Sequence, residues 1–201
     1  DADGRASRFL AACDAASKSE ALKATFRVAL FVGNAMNAAK PKLQAAGIPL
    51  AALEKLSKAK GTTGSSGLAL VVEVGRKKGL VDPLDLEDDL RGKLAAIAKD
   101  EPAKDAVRLL EKDRTFVAKA AAAESKASSD DFLADVDAAL TRLRRRLDDI
   151  NEATTALLTT FGEDPTKTDP GQWLARLLTV VAAVARVAAD VNARDAEKAL
   201  Q

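Results

Sequence analysis

The chemistry open to this chain is narrowed first by what it lacks. Among its 201 residues there is no histidine and one cysteine, Cys13. Without imidazole there is no Ser-His-Asp relay and no histidine-held metal, and a lone cysteine makes neither a metal cluster nor an internal disulfide. Cys13 lies in an alanine-rich stretch with no activating base beside it, which suits a small core residue better than a nucleophile. Carboxylates are numerous, but they share helix faces with lysines and arginines and form no distinct acid–base pair. The run Gly61-Thr62-Thr63-Gly64-Ser65-Ser66-Gly67 lacks the Gly-Lys-Ser/Thr of a phosphate loop, and no strand pattern precedes it. These residues argue against an enzyme, a cofactor and a metal. What remains is suited to contact: the lysines Lys55, Lys58 and Lys60, the arginines Arg142, Arg144, Arg145 and Arg146, and the unusual run Val32-Gly33-Asn34-Ala35-Met36-Asn37. A Gly-Asn pair inside a helical apolar run is locally unfavourable, because both residues are poor helix formers. Its presence asks for a packing or contact reason.

The elements that must position these groups are helices. Hydrophobic residues make up 47% of the chain and aromatics only 3%, with no tyrosine and a single tryptophan, Trp173. Alanine fills much of the apolar share, and Ala, Leu, Glu, Lys and Arg together are the composition of long, closely packed helices. The fold class is therefore all-α, an elongated multi-helix bundle with long antiparallel helices. No apolar run reaches about 18 residues, so no membrane span is expected, and no signal-peptide pattern opens the chain. A single cysteine fits a reducing, intracellular setting. The chain starts Asp1-Ala2-Asp3-Gly4 without an initiator methionine, which suggests a piece of something longer. Net charge is +1, yet residues 1–80 carry 13 Lys and Arg against 6 Asp and Glu, while residues 81–201 carry 18 against 24. The basic front suits an acidic partner or is a solvated face.

Spacing places a first helix over about Arg5–Ala16 and a second over about Glu20–Ala38, with Ser19 as its N-cap. Pro49 suits the first position of a short helix reaching Lys58. Gly61–Gly67 reads as a loop, Leu68–Lys77 as a helix closed by Gly79, and Asp82-Pro83 as the start of another reaching about Lys99. A long element covers about Pro102–Lys126. The next carries the stripe Phe132, Val136, Leu140, Leu143, Leu147, Ile150, Thr154, Leu157 and Phe161, which becomes heptad-like along its length. Its opposite face holds the arginine cluster, answered by Asp148 and Asp149 one turn on. Those flanking carboxylates favour a solvated helix face over a nucleic-acid patch. Gly162 ends this helix, and Asp169-Pro170 opens the last, whose stripe is Trp173, Leu177, Val180, Val184, Val187 and Val191. The short connector predicts that these two long helices pack antiparallel.

Taken together the motifs resemble the formin homology-2 domain. The family's helix ends in a Gly-Asn-aromatic-Met-Asn sequence, matched by Gly33-Asn34-Ala35-Met36-Asn37. A glycine-aromatic segment follows, matched by Gly47-Ile48, and leads into a Lys-Leu…Thr-Lys-Ser stretch, matched by Lys55-Leu56 and by Lys60. From Ala11-Ala12-Cys13 and Lys18-Ser19 the pattern runs to Val74 without insertion or deletion after Cys13. Phe161-Gly162-Glu163-Asp164-Pro165 looks like the family's late turn before a long helix. Between about Gly79 and Ser129 only helix length and polarity agree. The chain departs from the family at Ala35 (usually aromatic), Ala39 (commonly glycine), Lys40 (commonly serine), Ile48 (usually phenylalanine) and Gly61 (serine).

The resemblance implies a ring-like, head-to-tail dimer in which a lasso from one subunit encircles the post of the other and the ring acts at the actin barbed end, nucleating and elongating filaments. It implies that Gly33, Asn34, Met36 and Asn37 form the lasso-receiving pocket, and that Lys60, with Lys55 and Lys58, contacts actin. It makes the chain a single helical unit over 1–201, the C-terminal half of such a domain, with 1–80 and 150–195 post-like and 85–150 coiled-coil-like. Alone, the chain is expected to fold but not to elongate filaments, since the lasso would lie upstream. The implied partners are actin and a second formin homology-2 subunit, in the cytoplasmic actin cytoskeleton, with no cofactor and no nucleic acid. The competing reading is a helical scaffold that binds partner helices and has no actin role.

Overall fold

The computed structural model describes residues 2–60, 65–79, 90–97, 111, 112, 115 and 128–199. Seven α-helices lie among them: α1 (Ala2–Lys18), α2 (Glu20–Met36), α3 (Leu50–Lys58), α4 (Gly67–Lys77), α5 (Leu90–Ile97), α6 (Ser128–Thr160) and α7 (Pro170–Ala199), with a 3-10 turn at Pro41–Leu43. The described residues include no strand, only an isolated bridge between Lys60 and Ser66. The fold is all-α, as composition requires. The helix expected over Pro102–Lys126 and residues 61–64 of the glycine-rich loop lie outside the described residues, apart from Glu111, Lys112 and Thr115 of the former.

The helix starts are written in side chains. The Ser19 hydroxyl accepts from the Leu22 N–H at 3.1 Å, and the Ser66 hydroxyl accepts from the Ala69 N–H at 3.1 Å. The Asp169 carboxylate accepts from the Gln172 N–H at 2.7 Å. Each such cap contributes about 1 kcal/mol by satisfying an otherwise orphaned donor. At the end of α6, Gly162 takes φ +73°, and the Glu163 N–H closes on the Leu158 carbonyl at 2.9 Å. That left-handed residue suits glycine, and it turns the chain sharply so that Glu163 faces back toward α3.

Alanine explains how the helices come together. In α1, Ala12 and Ala16 are fully buried and Ala6 and Cys13 nearly so, and small side chains let α1 lie close against α6 and α5. Burial also pushes the Cys13 thiol up to about 12, the behaviour of a core residue that carries no thiolate. The main core joins α1–α5 to α7 and the C-terminal end of α6, with Leu22, Leu50, Leu53, Leu68, Leu157 and Trp173 among its most buried members. A smaller cluster, Leu140 and Leu143 with Val136 and Leu147, sits farther up α6.

One expectation is corrected. Among the described residues α6 and α7 do not pack along their length; α6 lies chiefly on α1, while α7 lies on α3, α4 and α5. The two long helices meet around their connector, where Phe161 stacks on Trp173. The physical reason lies in the breadth of the α7 face. Leu174, Val181, Ala185 and Ala188 are buried beside the anticipated stripe, so α7 offers a surface wide enough for three shorter helices.

Candidate functional site

The site grows out of the end of α2. The helix stops at Met36 because Asn37, in a non-helical conformation, turns its N–H back to the carbonyls of Gly33 (3.2 Å) and Asn34 (3.1 Å). The chain then has to return across the helix end to begin α3. Asn34 holds that return: its amide donates to the Ala45 carbonyl at 2.9 Å, and its side-chain oxygen accepts from the Ala45 N–H at 2.9 Å. Two bonds from one planar amide to one residue's backbone fix both position and orientation.

The far end of the returning segment is held from another direction. The Leu50 N–H, at the start of α3, donates to Glu163 Oε1 at 3.1 Å, and the Trp173 indole N–H approaches the same oxygen at 3.4 Å. A carboxylate at a helix N-terminus meets both an orphaned donor and the positive end of the helix dipole. Between the two attachments, Ala46-Gly47-Ile48-Pro49 forms one wall of an open groove of about 610 Å³. Lys23, Phe26, Arg27 and Leu30 of α2 form the second side, and Thr159, Thr160, Phe161 and Gly162 the third. Beneath it three of the chain's few aromatics touch. The Phe161 ring centroid lies 4.9 Å from that of Phe26 and 5.4 Å from that of Trp173. The groove is thus an apolar floor with two cations on one edge, Lys23 itself bonded to Glu20 at 2.8 Å. Such a shape takes an apolar anchor from a peptide segment.

The four anticipated pocket residues fall beside this groove rather than in its lining. Asn34 anchors the wall. Asn37 caps the helix. Met36 is 70% exposed, and around Gly33 no described atom lies within 4 Å of where a Cβ would stand. Gly33 therefore serves no helix packing among the described residues. Phe31, one of the chain's exposed large apolar side chains, is 54% exposed on the same helix, with the Lys78 ammonium 5.0 Å above its ring.

The three lysines are all exposed, Lys55 and Lys58 in the last turn of α3 and Lys60 just beyond it. Cations there complement the negative end of the helix dipole. Lys60 bridges to Ser66, and the Gly67 N–H donates to the Ala59 carbonyl at 2.9 Å, so both ends of the glycine-rich loop are tied together. The orientation of α3 is fixed against α7 by Glu54, whose carboxylate accepts from Arg176 Nε at 2.8 Å and Nη2 at 2.7 Å. The two-pronged hydrogen bond from Arg176 holds the Glu54 carboxyl below its ordinary value and raises that of Arg176 in return. Farther up α6, Arg142, Arg144 and Arg145 are exposed, and Arg144 pairs with Glu111 at 2.7 Å.

Sequence reasoning missed Glu163, Ile48 and the Lys23–Arg27 edge as parts of one site. A faint signal existed, since Gly47-Ile48-Pro49 and Phe161-Gly162-Glu163 were both singled out, but nothing in the spacing says that they touch. No described helix is long and apolar enough to cross a membrane. A family model, the Formin Homology 2 Domain, matches residues 7–184. No curated protein matches the chain.

Proposed function

Because that match spans most of its length, the chain belongs to the formin homology-2 family, and from this premise we propose that it is the post-side part of an actin-assembling dimer. Membership carries an actin-related function, with actin and a second subunit as its general partners. On the finer reading, the groove between α2, residues 46–49 and the end of α6 receives the partner subunit's lasso, and the Gly33–Asn37 helix end flanks the incoming segment. Lys60, with Lys55 and Lys58, then meets the acidic surface of actin and contributes to nucleation and barbed-end elongation in the cytoplasmic actin cytoskeleton. The role is one of binding rather than catalysis.

The observation that carries this reading is the convergence of both family motifs on one groove. Gly47-Ile48 and Phe161-Gly162, 113 residues apart or more, form facing walls of the same apolar recess, and Asn34 of the Gly-Asn motif holds one of them. Actin contact by the lysines is supported by their exposure and by a basic surplus in residues 1–80. Charge of that sign steers and orients an acidic partner.

The test is seeded actin elongation with the complete formin homology-2 domain that carries this chain, beside its Lys60→Glu version. A changed barbed-end rate that the substitution weakens is the expected result. A changed rate indifferent to Lys60 would remove the lysine from the site. No effect of the folded domain on filament ends would favour a helical scaffold with no actin role.

A further inference from the structure

We infer that Asn34 and Glu163 are positioning residues, two clamps that hold residues 45–50 as a preset wall of the groove. The inference rests on the reading that this groove seats the partner's lasso. Neither residue lines the groove. Asn34 grips the segment's first residue through both Ala45 backbone groups, and Glu163 grips its last through the Leu50 N–H. The span between them, Ala46-Gly47-Ile48-Pro49, lies outside any helix or strand, and its Pro49 carbonyl accepts from the Ala52 N–H in the first turn of α3 at 2.9 Å. Gly47 is exposed, and a Cβ there would meet no described atom within 4 Å. Three of the four residues are exposed, so the wall is held by its two ends and by the half-buried Ile48, which packs on the core.

The consequence follows from the energetics of a preset site. If a clamp opens, the wall samples many positions and only a fraction of molecules present the groove; the apparent affinity falls by that fraction. A backbone hydrogen bond to a charged acceptor is strong enough that its loss lowers the competent fraction by about tenfold or more. The carboxylate of Glu163 acts twice, since its Oε1 also faces the Trp173 indole N–H at 3.4 Å and so ties the wall to the first turn of α7. The clamp thereby fixes the wall relative to the core and not merely to the neighbouring turn.

The experiment uses the complete formin homology-2 domain carrying this chain, in the wild type and as Asn34→Ala, Glu163→Ala, Glu163→Gln and Ile48→Asp. Two quantities are read: the dimer dissociation constant by sedimentation equilibrium, and amide hydrogen exchange at Ala45, Leu50 and the α7 core residue Val181. The expected result is exchange at Ala45 or Leu50 faster by about tenfold, unchanged exchange at Val181, and a dimer weakened by roughly tenfold for each alanine variant. Glu163→Gln, which keeps an acceptor oxygen, stays within about threefold of wild type. Unchanged exchange at residues 45 and 50 overturns the inference. So does a dimer that tolerates both alanine variants while Ile48→Asp breaks it, because the groove would then work without its clamps. A dimer indifferent to Ile48→Asp removes the groove as the lasso seat and overturns the inference together with that reading. Glu163→Gln failing as badly as Glu163→Ala, with Val181 exchange accelerated in both, would assign Glu163 to global stability instead.

Discussion

Gly33→Ala separates the two reasons a helix can carry a glycine. Inside a helix, glycine is less favourable than alanine by about 0.8–1 kcal/mol, through backbone entropy. Packing against a neighbour can justify that cost, but a Cβ at Gly33 meets no described atom within 4 Å. The substitution should therefore stabilise the free chain by most of the propensity difference, roughly 0.5–1 kcal/mol so near the end of α2. For 201 residues, an unfolding entropy of about 2.1 cal/mol/K per residue amounts to some 0.4 kcal/mol/K, so Tm should rise by roughly 1–2 °C. Thermal and urea unfolding followed by circular dichroism would read it, with the urea slope unchanged. In the complete domain the same methyl group should weaken the dimer. On the proposed lasso-seat reading it would occupy space meant for the partner's chain, and overpacking of about 1–3 kcal/mol is roughly a five- to 150-fold loss. A Tm lowered by more than a degree would refute the reasoning about open space. A raised Tm with an unaltered dimer would refute the role of Gly33 toward the partner.

The same substitution should have the opposite sign at Gly67. A Cβ there would stand 2.9 Å from Leu56 Cδ2 and 3.2 Å from the Leu56 carbonyl oxygen. The leucine tip can swing away but the backbone cannot follow easily, so Gly67→Ala should cost about 1–2 kcal/mol in urea unfolding. Phe161→Leu keeps an apolar side chain but removes the rings' contacts at 4.9 Å and 5.4 Å. Two aromatic pairs plus some lost volume predict a loss of about 1–3 kcal/mol, seen as a lower urea midpoint. For Glu54, whose carboxyl is held below its ordinary value of 4.5 by the hydrogen bonds from Arg176, the stability it contributes is fully present above about pH 4.5. It is lost as pH falls through the depressed folded value. The stability difference between wild type and Arg176→Ala should thus be about 0.5–1 kcal/mol at pH 7, since Arg176 is 46% exposed, and shrink toward zero below pH 4.5. A difference that grows in acid would contradict the assignment.

Much of the architecture was legible because helix signals are local. Ser19, Asp169-Pro170 and Gly162 mark boundaries within a residue of those observed, and the stripe from Trp173 to Val191 lies on the buried face of α7, with Val187 half-buried. What periodicity could not supply was which stripe meets which. The stripe of α6 matched a heptad, and a short connector made α7 its natural partner, yet among the described residues α6 packs chiefly on α1. An alanine-rich helix such as α1 carries a weak pattern but permits the closest approach. Close approach, rather than the strength of the pattern, decides who packs with whom.

The site was half legible for a related reason. The Gly-Asn pair announced itself by violating helix propensity, and that violation led to the family. The resemblance gave it the meaning of contact with an incoming chain. In the fold Asn34 spends one donor and one acceptor on Ala45, eleven residues on. Glu163 was legible only as a letter in a turn, because its bond to Leu50 spans 113 residues. No spacing rule reaches that far; only the path of α6 and the left-handed Gly162 bring the carboxylate to the start of α3. The two polar residues that shape the groove therefore act through the backbone of a third segment. A motif can thus carry its most distinctive polar side chain not as a free contact group but as a hold on a neighbouring backbone segment.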